Sequence, residues 1–172
     1  MSHENIIRTF VARDDKVLVG VPSWVRQPRD GELVATWQFN AGGVLAPDFE
    51  IRAVAYPNKD RALQPYFKLG LHYLSSPVCR LDFQTDKSHP NHIKNRPVHV
   101  PAGTVYGCHW HDFEDNRYLF AAAKMPTKFL FATPAPDRVT RFDQAFHWFC
   151  DKINTVHVNG NLIDLPGRTS LL

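Results

Sequence analysis

The chain lacks several features that would place it in a special class of protein. No run approaches the ~18 consecutive apolar residues of a membrane-spanning helix, so we expect no membrane association. The N-terminus has no basic segment followed by an apolar run, which argues against a secretory signal peptide. A formal net charge of +3 is too small to predict nucleic-acid binding by itself.

Cysteine is also scarce. The chain has three, Cys79, Cys108 and Cys150, which are widely spaced and include no Cys-x-x-Cys pair. This pattern favours free thiols in a reducing compartment over a disulfide framework, and it gives no support to a structural zinc site. We therefore predict a cytoplasmic protein that holds no tightly bound metal and no other cofactor.

What is present indicates one globular domain over residues 1–172. The composition, 44% hydrophobic and 22% charged, is ordinary for such a protein. A chain of this length buries roughly 70% of its unfolded surface, which is enough for a core without staples. Residues 1–60 read as a strand-rich part, and residues 61–158 as a histidine-rich sheet, a loop and a helix.

Alternation of polar and apolar residues predicts six strands, interrupted by a polar, proline-rich loop over 86–101. The predicted strands are Lys16–Val21, Glu32–Phe39, Phe49–Tyr56, Tyr66–Leu74, Val78–Gln84 and Gly103–Phe113. Turns are expected at 40–43 and at 75–77. The fourth and fifth strands, joined by the second turn, should form a hairpin.

Apolar residues recur at spacings of three and four between Phe142 and Ile153, which predicts an amphipathic helix with Thr140 and Asp143 at its N-terminal cap. Its apolar stripe needs a partner. We therefore predict an α+β fold in which a mostly antiparallel sheet packs against this C-terminal helix. A cupin barrel carrying the helix as an appendage is the alternative.

Histidine supplies the most informative pattern. Six of the nine histidines lie between residues 61 and 124, and four of them form two tight pairs, His89 with His92 and His109 with His111. Histidine changes charge near neutral pH, and its neutral ring is the commonest metal ligand. The same window holds eight Lys and Arg against five Asp and Glu, a surplus equal to the whole net charge.

Strand alternation collects many of these side chains on one face of the predicted sheet. If the strands are neighbours, that face carries Lys68, His72, Arg80, Asp82, His109 and His111. The loop that carries His89, Asn91 and His92 would then close over it. A merely solvated sheet face would hold the same residue types, and this alternative stays open.

Three chemistries suit such a face. In metal-free phosphodiester cleavage, one imidazole takes a proton from a ribose 2′-hydroxyl, another protonates the leaving oxygen, and Lys or Arg stabilises the developing charge. In metal binding, two His at i and i+2 on a strand join a carboxylate around Zn, Fe, Mn or Ni. The third is anion or nucleic-acid binding without catalysis.

The segment 101–114 resembles, in part, the first cupin motif, in which a glycine and five residues precede His-x-His, and a Glu follows three or four residues later. Gly103, His109 and His111 match, whereas Glu114 follows after only two residues. No downstream Pro-Gly-His motif supplies another ligand. The resemblance implies a double-stranded barrel with a metal site.

A longer stretch, from Tyr66 to Val158, resembles a family of small bacterial and phage proteins known chiefly as a domain of unknown function. The motifs that match are Arg80-x-Asp82, His89-x-Asn91 and Gly107-x-His109-x-His111. Such proteins are often associated with toxin–antitoxin or mobile-element neighbourhoods. The resemblance implies a shared histidine-centred site but no established reaction.

The leading hypothesis is a protein that binds or cleaves nucleic acid, RNA before DNA, in a toxin–antitoxin or phage–host conflict. As an enzyme it would be a metal-independent, ribonuclease-like hydrolase. The predicted catalytic residues are His109, His111, His89 and His92, and the predicted substrate contacts are Lys68, His72, Arg80, Asp82 and Asn91. The alternatives are a non-catalytic protein–protein interaction module, such as an antitoxin or inhibitor, and a cupin-like metal-binding protein. The sequence predicts no oligomeric state.

Overall fold

The computed structural model describes residues 2–28, 31–56, 67–83, 87–121, 125–157 and 159–165. The helices are α1 (His3–Ala12), α2 (Phe113–Asn116) and α3 (Phe142–Lys152), with 3-10 turns at Arg117–Phe120 and Asn159–Asn161. The strands are β1 (Lys16–Val19), β2 (Val25–Arg26), β3 (Leu33–Ala41), β4 (Val44–Ala55), β5 (Phe67–Tyr73), β6 (Ser76–Phe83), β7 (Ser88–Pro90), β8 (Thr104–Tyr106), β9 (His109–His111), β10 (Thr133–Pro134) and β11 (Thr155–Val156).

Most strands join one large sheet, which confirms the predicted α+β fold. Its order is β10-β9-β6-β5-β4-β3-β1-β11, with β2 paired to β3, and β7 and β8 form a separate two-stranded sheet. Strands β1 and β11 run parallel, and the other pairs are antiparallel. The cupin-barrel alternative is wrong, because one continuous sheet with helices on its apolar face replaces two opposed sheets.

Two tight turns shape the centre of the sheet. Gly42 and Gly43 have φ values of 61° and 82°, and they join β3 to β4 as a two-residue turn. Leu74 and Ser75, at φ 48° and 67°, do the same between β5 and β6. Positive φ at both central residues suits the right-handed twist of a hairpin. This second turn lies earlier than expected, and the predicted strand ends Tyr66 and Gln84 fall outside the described residues.

The hydrophobic core lies on one face of the sheet. Trp110 on β9 meets Trp148 and Phe149 of α3 edge-on, at ring-centroid distances of 5.4 and 5.6 Å. Farther along the sheet, Phe10 of α1 stacks on Phe49 of β4. Both long helices therefore cover the same face, and the polar residues of β4, β5, β6 and β9 point to the other.

Helix α1 lies in a segment for which the sequence predicts no helix or strand. At its N-terminus the backbone N–H of Asn5 donates to the Ser2 hydroxyl, and at its C-terminus the buried Lys16 caps the free carbonyls. Lys16 Nζ donates to the carbonyl of Val11 at 3.1 Å and to that of Arg13. Residues 3–12 are rich in β-branched side chains with weak helix propensity, so tertiary packing and these caps decide the structure.

The structure corrects the predicted cap of the C-terminal helix. Helix α3 begins at Phe142 with Arg141 at the N-cap, and Arg141 makes no side-chain capping bond. The Thr140 N–H and hydroxyl instead donate to Gln144 Oε1, both at 3.0 Å. Thr140 is therefore held by the helix rather than capping it.

The structure also divides the predicted strand over 103–113. Gly107, at φ 73°, turns the chain, so that β8 pairs with β7 while β9 enters the large sheet. The predicted loop over 86–101 accordingly contains strand β7. This break brings the two histidine pairs near each other. No helix within the described ranges is long and apolar enough to cross a membrane.

Candidate functional site

The predicted polar face exists, and its rows follow from strand pairing. Asp82 pairs with Lys68 on one side and with His109 on the other. Arg80 likewise pairs with His111. Because residues two apart on a strand share a face, both rows project away from the core. The expected gathering of these side chains on one face is confirmed.

Three histidines converge at the β9 end of this face. His89, on β7, has its ring centroid 4.6 Å from that of His111 and 5.8 Å from that of His109. Each of the three histidines places one ring nitrogen within 4.8 Å of a ring nitrogen of the other two. His89 is half-buried, whereas His109 and His111 are only 3% and 0% exposed. We call these three residues the histidine cluster.

The two cluster rings on β9 are each fixed by a backbone carbonyl. Nδ1 of His109 lies 2.7 Å from the Gly107 oxygen, and Nδ1 of His111 lies 2.9 Å from the Phe131 oxygen. A carbonyl only accepts, so both Nδ1 atoms carry the hydrogen and donate it. In the neutral rings, each Nε2 then presents a lone pair.

The third ring, that of His89, is placed by β7. Its Nε2 is buried and has no hydrogen-bond partner among the described residues. On β9, Nε2 is the nitrogen of each ring that is not bonded to a carbonyl, and Arg80 Nη2 lies 3.5 Å from Nε2 of His111.

Asp82 lies beside the cluster and is oriented by Arg80. Arg80 donates to both carboxylate oxygens, from Nε at 2.5 Å and from Nη2 at 2.8 Å. Oδ2 of Asp82 lies 3.4 Å from His109 Nε2 and 3.6 Å from His111 Nε2. A two-pronged guanidinium–carboxylate contact fixes the carboxylate in space, so its position toward the rings is set by Arg80.

Two buried asparagines hold the segment over 130–132, which supplies the Phe131 carbonyl that accepts from His111. Asn116 accepts from the N–H groups of Leu130 and Phe131 and donates to the Phe131 carbonyl. Asn91 accepts from the N–H of Ala132 and donates to its carbonyl. Two side chains thus fix three consecutive peptide groups.

Phe129 closes the cluster from above. Its ring stacks on His111 at 4.9 Å between centroids and 18° between planes. The Arg80 guanidinium lies 5.4 Å from the same ring. The sheet face is thus covered at this end rather than solvated, because the segment that includes Phe129 and Phe131 packs over it.

Burial and neighbouring charges set the protonation states. Burial lowers the pKa of His111 to about 4 and also lowers that of His89, which favours neutral rings at pH 7. Burial opposes the charge on Asp82, but the neighbouring His109, His111 and Arg80 hold its pKa well below the ordinary value. A neutral His111 suits a ligand or a proton acceptor better than a general acid.

A groove continues from the cluster across the same face, with Arg80 at its border. Its volume is about 260 Å³. The lining residues are Glu32, Arg52, Val54, Tyr56, Lys68, Gly70, His72, Pro77 and Arg80. Gly70 is buried next to the His72 ring, so an added Cβ would lie 3.0 Å from His72 Nε2. Three cationic side chains therefore line one groove.

The predicted site residues divide into three groups. His89, His109 and His111, with Asp82 and Arg80, come together at the cluster. Lys68 and His72 lie along the groove, and burial lowers the pKa of His72 to about 4. His92 is exposed and does not belong to the cluster.

Asn91 is corrected from a substrate contact to an internal clamp, because its amide is buried and bonded to the backbone at Pro101 and Ala132. Three residues that sequence reasoning missed are Arg52, Asn116 and Phe129. Alternation along β4 marks Arg52 as outward-facing, whereas no local pattern marks the other two.

The carboxylate expected from the cupin resemblance does not reach the cluster. Glu114 lies on α2, is exposed, and pairs with Arg117 at 3.3 Å. The third histidine comes instead from upstream, on β7. The His-x-His spacing is therefore part of a different arrangement from the one in a cupin.

Comparisons of the chain with protein-family models, curated proteins and solved structures find no match. The resemblance to the family of small bacterial and phage proteins therefore stays a prediction, as does the setting in toxin–antitoxin or phage–host conflict.

Proposed function

We propose that the protein binds the phosphate backbone of RNA in the groove and cleaves a phosphodiester bond at the adjoining histidine cluster. The proposal is supported above all by one residue that the groove and the histidine cluster share. Arg80 lines the groove and also orients Asp82 beside the cluster. A phosphate bound at Arg80 would lie next to the imidazoles.

The charge of the groove supports an anionic substrate. Arg52, Lys68 and Arg80 line it, against one carboxylate, Glu32. The Nε atom of Arg52 is buried and has no hydrogen-bond partner among the described residues. A buried, unpartnered guanidinium nitrogen costs free energy, which an incoming phosphate oxygen would offset. Tyr56 adds an aromatic ring, a surface on which bases stack.

The cleavage step balances without an outside reagent. The ribose 2′-hydroxyl oxygen bonds to the adjacent phosphorus, the bond from phosphorus to the 5′ oxygen breaks, and the hydroxyl proton passes to that leaving oxygen. The products are a 2′,3′-cyclic phosphate and a free 5′-hydroxyl. His109 and His111 are buried, and so is Nε2 of His89, so direct contact with the phosphate falls to Arg80, with the half-buried His89 as the cluster residue nearest the surface.

The test combines binding and cleavage on labelled single-stranded RNA and on DNA of the same sequence. We expect Lys68→Ala to weaken RNA binding and to lower the salt dependence by about one phosphate contact. Lys152→Ala is the matched control, because Lys152 lies on α3, on the opposite side of the sheet, and should leave binding unchanged. Cleavage should disappear in His89→Ala.

The proposal fails if the wild-type protein neither binds nor cuts RNA at low salt, where phosphate contacts are strongest. A protein–protein interaction module would then be the better hypothesis. The cytoplasm remains the proposed compartment, and this is supported by Cys79, Cys108 and Cys150, none of which forms a disulfide bond within the part of the chain that the structure describes.

A further inference from the structure

The ring nitrogens of the histidine cluster lie within 4.8 Å of one another. The two buried rings on β9 donate through Nδ1 to backbone carbonyls, so in the neutral rings Nε2 carries no hydrogen. Arg80 Nη2 makes a long contact of 3.5 Å with Nε2 of His111, and Nε2 of His89 has no hydrogen-bond partner among the described residues. An Nε2 lone pair whose ring gives its Nδ1–H to a carbonyl is the usual state of a metal-binding histidine.

The position of Asp82 adds an independent observation. Its Oδ2 lies 3.4 Å from His109 Nε2 and 3.6 Å from His111 Nε2. Hydrogen bonds of this kind span roughly 2.7–3.2 Å, so both distances are too long for good ones. Two ligands of one tetrahedral metal ion, each bound at about 2.0–2.2 Å, stand about 3.3–3.6 Å apart. The measured separations therefore fit two ligands around a shared ion.

The support around these side chains is also of the kind that metal sites need. Arg80 fixes the Asp82 carboxylate, and the buried Asn116 fixes the peptide whose carbonyl holds His111. Such outer partners set the ligand orientation and raise metal affinity.

We propose that His89, His109 and His111 bind one divalent transition-metal ion through Nε2, with Asp82 as the fourth ligand. Three imidazoles and one carboxylate favour zinc, and they also suit iron, cobalt or nickel, whereas magnesium and calcium prefer oxygen ligands. This replaces the expectation from the sequence of a protein without metal. The half-buried side of His89, next to Arg80, is where a substrate would reach the ion.

The metal site stands on the geometry of the cluster, and only its catalytic use rests on the proposed function. A bound divalent ion would act as a Lewis acid on a phosphate oxygen that enters as an additional ligand. It would then stabilise the negative charge that develops on the phosphate during cleavage.

The test measures metal directly, on protein without a histidine tag. Chelator-treated protein is titrated with Zn²⁺, and stoichiometry and affinity are read by competition with a chromophoric zinc indicator. Elemental analysis of protein purified without chelator gives the resident metal. We expect one Zn²⁺ per chain and a concentration-dependent rise in Tm.

The variants locate the ion. His89→Ala should weaken zinc binding at least 10-fold, and its half-buried position makes it the replacement that the fold tolerates best. His92→Ala is the matched control, an exposed histidine three residues along the same segment, and it should bind zinc as the wild type does. Circular dichroism reports whether each variant is folded.

The proposal is overturned if the folded wild type binds no zinc, or if His89→Ala binds it as tightly as His92→Ala. RNA is absent from this experiment, so its outcome is separate from that of the cleavage assay. Metal bound without cleavage would refute only the proposed function, and cleavage by metal-free protein would refute the catalytic use of the ion.

Discussion

Oδ2 of Asp82 lies 3.4 Å from Nε2 of His109, on the strand paired beside it. The two residues meet because antiparallel pairing places them opposite each other, and Arg80 then turns the carboxylate toward the ring. A hydrogen bond would draw these atoms closer, whereas a shared metal ion would hold them at about this separation.

Asn116 should support both the fold and the cluster. Asn116→Ala removes hydrogen bonds to the backbone at Asp112, Leu130 and Phe131 and leaves buried groups without partners. We expect the free energy of unfolding to fall by about 3 kcal/mol and zinc affinity to fall by about 10-fold. Urea denaturation and the zinc titration measure the two effects.

The exposed Asn5 on α1 provides the control, because Asn5→Ala should change the free energy of unfolding by less than about 0.5 kcal/mol. Equal stability of the Asn116 and Asn5 variants would show that the clamp contributes nothing.

Gly70 should be required for the space in the groove. Gly70→Ala places a Cβ 3.0 Å from His72 Nε2, which forces that ring to move. We expect weaker RNA binding with unchanged zinc binding, because the cluster lies on other strands. Gly70→Ala combined with His72→Ala relieves the contact, so part of any stability loss should be recovered. Purely additive losses in denaturation would contradict the predicted contact.

Lys16 should make stability depend on pH in an alkaline window. Burial lowers its pKa from 10.5 to about 8. The unfolded chain then binds the proton more tightly than the folded one, so the contribution of Lys16 to the free energy of unfolding rises between about pH 8 and about pH 10.5 and is constant below that window. We expect the free energy of unfolding of the wild type, minus that of Lys16→Met, to increase across this range in urea denaturation. A value that stays constant or decreases would rule this out.

Thiol accessibility should separate the three cysteines. Cys79 and Cys150 are buried, and burial raises the pKa of both thiols. Only the partly exposed Cys108 should therefore react with a thiol reagent in the native protein, whereas all three should react in denaturant. The Cys108→Ser variant should show no fast native reaction. Rapid labelling of two or three native thiols would show that the core is not packed as described.

The sequence predicts the faces of the strands well, because the side-chain period of two is independent of the rest of the fold. Lys68, Asp82 and His109 could be assigned to one face in this way, and they form one row across three strands. The amphipathic helix near residue 142 was likewise predicted from its spacing. Both features are local, or need only neighbouring strands.

The features that were missed depend on contacts between distant parts of the chain. Nothing near Phe129 or Asn116 in the sequence shows that the segment over 129–132 covers His111. The turn at Gly107 was hidden inside an apparently continuous strand, so the approach of His89 from β7 could not be specified. The cupin resemblance implies a carboxylate ligand downstream of His111, whereas the third imidazole of the cluster, that of His89, lies upstream on β7.

The most direct test of the metal site is the position of the ion itself. Crystals of zinc-loaded protein would be measured at the zinc absorption edge, and an anomalous difference map would locate the metal. We predict one peak about 2.0–2.2 Å from Nε2 of His89, His109 and His111 and from Oδ2 of Asp82. A map without a peak there, or with its peak at another pair such as His147 and His157, would contradict the account.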